Sequence, residues 1–107
     1  MAKMPKSPLE APVFLIDRPV AVDYVHADDL DNAAGDAQWS EARVRIAHGL
    51  KHQIERHVVM HELIHIIEDS FGIGLKETQV QALATPLARM IADNPHLCAY
   101  LAAKEPT

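Results

Sequence analysis

The sequence is poor in cysteine and in positive charge, and each shortage argues against a class of protein. Cys98 is the single cysteine, so no internal disulfide can form and a disulfide-stabilised secreted scaffold is excluded. Lysine and arginine number 10 against 15 aspartates and glutamates, which gives a net charge of -5 with the histidines neutral. This balance argues against a nucleic-acid partner, because binding to the phosphate backbone usually requires a basic surface.

Long hydrophobic runs are also missing. The apolar run nearest the N-terminus is VFLI at 13–16, and Asp17 and Arg18 follow it directly. A signal peptide requires about 7–15 apolar residues after its basic start, and a transmembrane helix requires about 20. We therefore expect a cytoplasmic protein that has no membrane partner.

The remaining composition is typical of one small globular domain. The chain has 107 residues, of which 49% are apolar and 23% charged, and this is enough for a single hydrophobic core. Pro5, Pro8 and Pro12 disfavour regular structure near the N-terminus. We expect a flexible segment at 1–12, followed by one domain over 13–103.

Short strands are predicted before the helices. Two β-like runs, at 11–17 and 19–25, lead into a loop at 26–37 that carries four aspartates. Apolar and polar residues alternate at 42–48, which predicts a half-buried strand with 38–40 as its hairpin partner. Together these runs predict a small antiparallel sheet of about three strands.

The pattern then becomes helical. From about Lys51 to Phe71 apolar residues recur around much of the helix circumference, which predicts a buried helix that ends at Gly72. A second helix is predicted at 76–93 and a short third helix at 95–103. The predicted core residues of the second helix are Val80, Leu83, Ala84, Leu87 and Ile91. We expect an α+β fold in which the sheet packs on the first of these helices.

The first helix contains the stretch HVVMHELIH. His61 and His65 are one turn apart and, at about 100° per residue, point about 40° apart, so both imidazoles can bind one ion. Zinc favours imidazole nitrogens, and two of them supply half of a tetrahedral site. Glu62 lies on the adjacent face, where its carboxylate could take a proton from a metal-bound water and return it to a leaving amine.

A chance match is a risk for so short a motif. Histidine and glutamate in a buried helix are nevertheless costly unless they are paired or ligated, so His61, Glu62 and His65 together favour a metal site. His57 and His61 form a competing pair with the same spacing, but no glutamate follows His57. We expect His57 to lie near the start of the helix and to be more exposed.

A catalytic zinc site requires three protein ligands and one open position. Three carboxylates after the motif are candidates for the third ligand: Glu68, Asp69 and Glu77. Glu68 and Asp69 lie on the same helix as the histidines, and ligands along one rod suit a tetrahedral corner poorly. Glu77 opens the next helix after a loop with two glycines that allows the chain to reverse, so it is the better geometric choice.

These motifs resemble a known family. HELIH followed by ETQVQALA is similar to the ImmA/IrrE-type metallopeptidases, in particular to small members encoded by phages and prophages. The resemblance covers about 13–102 and implies a minimal zincin of the gluzincin group, in which a glutamate is the third zinc ligand. Glu77 falls on that ligand, and Gln81 falls on an asparagine or aspartate that orients a ligand histidine.

The sequence departs from this family at three positions, one of which is Pro86, where many small phage members have a small residue. Gln81 is longer than the asparagine or aspartate it replaces. Thr85 stands where many small phage members have a histidine. If that histidine stabilises the oxyanion, His96 or Tyr100 would have to replace it here.

The hypothesis from the sequence is a zinc metallopeptidase that acts on a peptide or protein substrate. His61, His65 and Glu77 would bind Zn²⁺, and Glu62 would act as general base and acid. The strand at 42–48 would bind an extended substrate by strand addition, and its two arginines would favour acidic peptides. The alternatives are a catalytically silent, zinc-stabilised regulatory module of phage or prophage origin, and a helical packing unit that binds no metal.

Overall fold

Four strands and three helices form an α+β fold in the computed structural model, which describes residues 4–104. The strands are β1 (Val13–Leu15), β2 (Arg18–Val25), β3 (Gly35–Gln38) and β4 (Arg43–Ala47). The helices are α1 (His52–Phe71), α2 (Glu77–Asp93) and α3 (Pro95–Ala102). All three predicted helices are therefore present, with bounds close to those expected from the sequence.

The four strands form one mixed sheet in the order β1-β2-β4-β3. β1 pairs antiparallel with β2, and β3 pairs antiparallel with β4. The central pair is parallel, with Val22 beside Val44. The prediction of about three antiparallel strands was therefore one strand short and wrong for the central pair, whereas the two outer pairs are antiparallel as expected. The direction of the central pair could not be read from the sequence, because alternation along a strand is the same whichever way its neighbour runs.

The predicted loop at 26–37 also contains regular structure. Ala27–Leu30 form a short 3-10 helix whose last residue is buried, and β3 begins at Gly35. β3 connects to β4 through a second 3-10 turn at Trp39–Glu41, so most of the predicted hairpin partner at 38–40 lies in the turn. β3 is an edge strand, and it was missed because its sequence, GDAQ, has no large apolar residues.

The main core lies between one face of the sheet and α1. Its buried members are Val20, Val22, Val44, Ile46, Val58 and Ile66. A second cluster joins α1 to α2 through Ile64, Val80 and Ala84. Two of the residues predicted for the α2 stripe, Val80 and Ala84, are thus buried as expected.

Other apolar side chains of the helices are more exposed than the sequence predicted. Leu83 and Ile91, which were expected in the core of α2, are 41% and 48% exposed. On α1, Ile54, Ile67 and Phe71 are also exposed, so the prediction of a helix buried on most sides was wrong. A domain of this size has too few elements to cover a helix all round, and each helix buries only the stripe that faces a neighbour.

The N-terminal segment contacts β2. The backbone N–H of Tyr24 donates to the Lys6 carbonyl at 2.8 Å, and the Ser7 hydroxyl donates to the Val22 carbonyl. Residues 1–3 and 105–107 lie outside the described residues, so a flexible segment over 1–12 stays a prediction. No helix among residues 4–104 combines the length and apolar character that crossing a bilayer requires.

β3 lies against α1 because Gly35 has no side chain. A Cβ at this position would be 2.8 Å from Val58 Cγ1, 2.9 Å from the Arg45 carbonyl oxygen and 3.2 Å from Glu62 Cγ. The first two separations are too short for real contacts, and one of them involves backbone that does not move easily. Gly35 therefore allows the edge strand to pack directly on the helix that carries the HELIH motif.

We expect Gly35→Ala to lower the free energy of unfolding by about 1–3 kcal/mol, as overpacking of a core commonly does. Urea denaturation followed by circular dichroism would measure the loss. Gly74→Ala is the matched control, because a Cβ at Gly74 would meet no atom of residues 4–104 within 4 Å. Equal losses in the two variants would contradict the close packing of β3 on α1.

Candidate metal centre

α1 brings the two histidines of the motif together. His61 and His65 are one turn apart, and their Nε2 atoms lie 3.2 Å from each other. The two side chains are only 14% and 29% exposed. The predicted pair of imidazoles therefore points to one place on the partly covered face of α1.

Glu77, the first residue of α2, completes this cluster. Its Oε1 atom lies 2.7 Å from His61 Nε2, and its Oε2 atom lies 3.1 Å from His65 Nε2. The three residues each offer one donor atom within 4.8 Å of the others. The Glu77 side chain is 67% exposed, so the cluster is open to solvent on the α2 side.

The cluster fits the dimensions of a zinc site. Two ligands at about 2.0–2.1 Å from a tetrahedral ion are roughly 3.3 Å apart. The observed separations are 3.2 Å between the imidazoles and 2.7 and 3.1 Å from them to the carboxylate. A small outward movement of the exposed Glu77 carboxylate would bring its oxygens to the separation that a zinc ion requires. Two imidazoles and one carboxylate are also a ligand set that catalytic zinc sites use.

Local sequence explains why Glu77 reaches the histidines. Gly72 ends α1 in the left-handed conformation, with φ 68°, and its N–H donates to the Glu68 carbonyl. The backbone N–H of Lys76 donates to Gln79 Oε1 at 2.8 Å. This hydrogen bond caps the N-terminus of α2, whose first residue is Glu77. A carboxylate in the first turn is also favoured by the helix dipole, so Glu77 suits its place.

Glu68 has a role that the sequence interpretation missed. It is 8% exposed, its Oε1 atom lies 2.9 Å from His65 Nδ1, and its Oε2 atom accepts the Leu75 N–H at 2.8 Å. One carboxylate therefore orients a histidine and also ties down the loop that leads to Glu77. The sequence interpretation gave the orienting role to Gln81, which is exposed. The spacing of His65 and Glu68, three residues apart on one helix, was the signal that could have found it.

Glu62 is buried next to the cluster. It is 7% exposed and lies beneath β3, where its Cγ is close to Gly35. Burial raises the pKa of the Glu62 carboxyl above its usual range, and the neighbouring His61 and His65 partly offset this effect. A carboxylate with a raised pKa is a stronger base, which suits proton transfer.

The raised pKa predicts a stability effect in the metal-free protein. Because the folded state binds the Glu62 proton more tightly than the unfolded state, stability is lost as pH rises through the pKa of the folded protein. Glu62→Gln removes this cost and should raise the melting temperature of the chelator-treated protein at pH 7. The gain should shrink as the pH falls through the pKa of the folded protein and should be absent below the ordinary value of 4.5. Thermal melts across pH would measure it, and a less stable variant at pH 7 would contradict it.

His57 lies in the first half of α1, as predicted, and is half-buried like His61 and His65, so a greater exposure of His57 stays a prediction. Its Nδ1 atom lies 2.7 Å from Thr85 Oγ1 on α2, and its ring centroid lies 6.1 Å from that of His61. Its Nε2 atom is buried and has no partner among the described residues. The sequence did not reveal this contact, because it depends on α2 lying beside the first half of α1.

The other suggested residues lie away from these contacts. His96 and Tyr100 are exposed on α3, and Tyr100 is 77% exposed. Within residues 4–104, neither forms a hydrogen bond to the three clustered side chains. The structure does not bring either one to the cluster as a stabiliser of an oxyanion.

β4 does not offer the expected edge for a substrate. It has β2 on one side and β3 on the other, so the prediction of strand addition at 42–48 was wrong. Its arginines are also engaged, since Arg45 Nε donates to Asp36 Oδ1 at 2.9 Å and Arg43 Nε lies 3.7 Å from Asp23 Oδ2. These contacts weaken the suggestion that the two arginines select acidic peptides.

Comparison with known proteins identified no relative. No family model matches the chain, and no curated protein or solved structure matches it either. Membership of the ImmA/IrrE-type peptidases therefore stays a prediction. Evidence on function comes from the geometry of the centre formed by His61, His65 and Glu77, with Glu62 beside it.

Proposed function

We propose that this protein is a zinc-dependent metallopeptidase of the minimal gluzincin type, similar to the small phage-encoded ImmA/IrrE-type enzymes. The observation that carries the proposal is the convergence of His61, His65 and Glu77 from two helices, with a buried Glu62 beside them. When bound, zinc acts as a Lewis acid and lowers the pKa of water toward about 7.

Each residue of the centre has a distinct part in this proposal. Glu62 accepts a proton from the attacking water and returns it to the leaving amine, a role that its burial favours. Glu68 holds His65 in one orientation through Nδ1, which leaves Nε2 directed at the cluster. The exposed side of Glu77 leaves room for a peptide to approach.

The free edge of β3 offers a place for the substrate backbone. Among residues 4–104 β3 pairs with β4 on one side and with no strand on the other, so its outer N–H and C=O groups can bind an extended peptide as an added strand. Gly35 of β3 lies close to Glu62, so a peptide on this edge would pass near the base. Strand addition is thus proposed at Gly35–Gln38 in place of the strand at 42–48.

One observation favours a second candidate function, a catalytically silent zinc module that binds a regulatory partner. Thr85 is held by His57, and His96 and Tyr100 are exposed on α3. None of the residues that the sequence suggested as a stabiliser of the oxyanion is therefore bonded to the metal centre within residues 4–104. Such a module would bind zinc and its partner equally well in wild type and in Glu62→Ala.

The test of the proposed function uses the purified wild-type protein. Elemental analysis should find zinc in a stoichiometric amount, and mass spectrometry should show cleavage of a mixed peptide library. A chelator should stop cleavage and added zinc should restore it. Zinc without cleavage would favour the silent module, whereas a protein that binds no zinc would overturn both proposals.

A further inference from the structure

A groove runs along the first half of α1, next to the metal centre but lined by none of its residues. It has a volume of about 520 Å³ and lies between α1 and the second half of α2. Ile54, Ala88 and Ala92 supply apolar surface, and His57 lines it at the end nearer the metal centre. The ring centroids of His57 and His61 are 6.1 Å apart, so the groove begins about one helical turn from the proposed ligands.

The polar rim of this groove is positively charged, although the whole chain has a net charge of -5. Arg56 and Arg89 line it, together with one carboxylate, Asp93. Arg89 lies 3.6 Å from Asp93, but these side chains are 75% and 62% exposed, so the pair is weak. Within residues 4–104 Arg56 forms no ion pair, so its charge is available to a ligand.

We propose that this groove binds an acidic side chain of the peptide substrate, with its methylene groups against Ile54 and its carboxylate at Arg56. This inference rests on the proposed peptidase and names its substrate class. It assigns acidic selectivity to Arg56 rather than to the paired arginines of β4.

The position of Arg56 indicates which residue of the substrate is recognised. Arg56 is five residues before His61, which is about 7.5 Å along a helix that rises about 1.5 Å per residue. An extended peptide advances about 3.3–3.6 Å per residue. Arg56 and His61 also point about 140° apart around α1, so the acidic side chain should lie at least two residues from the bond that is cut.

The test compares two synthetic peptide libraries. The acidic library contains Asp and Glu, and the neutral library contains Asn and Gln at the same positions. The wild-type zinc protein should cleave the acidic library about two- to five-fold faster, the range expected for one partly exposed ion pair. Zinc-loaded Glu62→Gln should bind fluorescent peptides from the acidic library more tightly by a similar factor, as measured by anisotropy. Arg56→Gln should remove the preference, and about 0.5 M NaCl should reduce it.

Arg43→Gln is the matched control, because it removes the same charge from β4, outside the residues that line the groove. It should keep the acidic preference. The inference would be overturned if the two libraries were cleaved at the same rate and bound with the same affinity. It would also be overturned if the Arg43 and Arg56 variants changed the acidic preference equally. If the wild type cleaves neither library but Glu62→Gln prefers acidic peptides, the peptidase proposal fails and the acidic groove stands.

Discussion

Zinc should be lost from His65→Ala and retained in Glu62→Gln, although both variants should lose peptide cleavage. His65 supplies one of three clustered donor atoms, and its removal leaves a two-ligand site. Glu62 is outside that cluster and is proposed to transfer protons. Glutamine has nearly the same shape but accepts no proton, so kcat/KM should fall about 10²–10⁴-fold.

Elemental analysis and cleavage kinetics on the same preparations would measure both effects. His52→Ala is the matched control, because His52 is an exposed histidine on the same helix and should be dispensable for zinc and for cleavage. An empty site in Glu62→Gln would show that Glu62 binds the ion and that the roles are wrongly assigned. Full cleavage by Glu62→Gln would remove the general base from the mechanism.

The local part of this centre could be predicted from sequence because helix geometry fixes it. Two histidines four residues apart on a helix must lie on one face, whatever the rest of the fold does. Glu77 was accessible to the same reasoning, since a loop with two glycines precedes it and lets α2 fold back on α1. The structure places His61, His65 and Glu77 together, as that reasoning predicted.

The sheet was harder to predict because its determinants are not local. Alternation in β2 and β4 predicts which side chains are buried but not that the two strands run parallel. β3 lacks alternating large apolar residues because it packs through the close approach of Gly35 to α1. The absence of a side chain at the contact is a weak signal in the sequence, although it is decisive in the fold.

Exposure and long-range polar contacts show the same limit. The spacing of Leu83 and Ile91 marks a helix face, but burial also requires another element to cover that face. The role of Glu68 depends on the return of the chain at Leu75, seven residues later. Sequence periodicity contains no information on where such a loop returns.

Glu68→Gln should weaken zinc binding about 10–100-fold, the usual cost of losing a group that orients a metal-binding histidine. Glu68 uses one oxygen on His65 Nδ1 and the other on the Leu75 N–H. A glutamine has only one oxygen, so its NH₂ group must face one of these two partners. If it faces His65, the proton moves to Nε2, which then has no lone pair for the ion. If it faces Leu75, two donors meet and the loop before Glu77 is released.

Competition with a chromophoric chelator would give the zinc affinity, and nitrogen chemical shifts of the His65 ring would identify the tautomer. Asp69→Asn is the matched control, because it neutralises the neighbouring, exposed carboxylate on α1 and should leave both readouts unchanged. A purely structural role for Glu68 predicts a lower melting temperature with unchanged zinc affinity and tautomer. A shift in the tautomer together with the affinity would instead show that this buried carboxylate sets the donor state of His65.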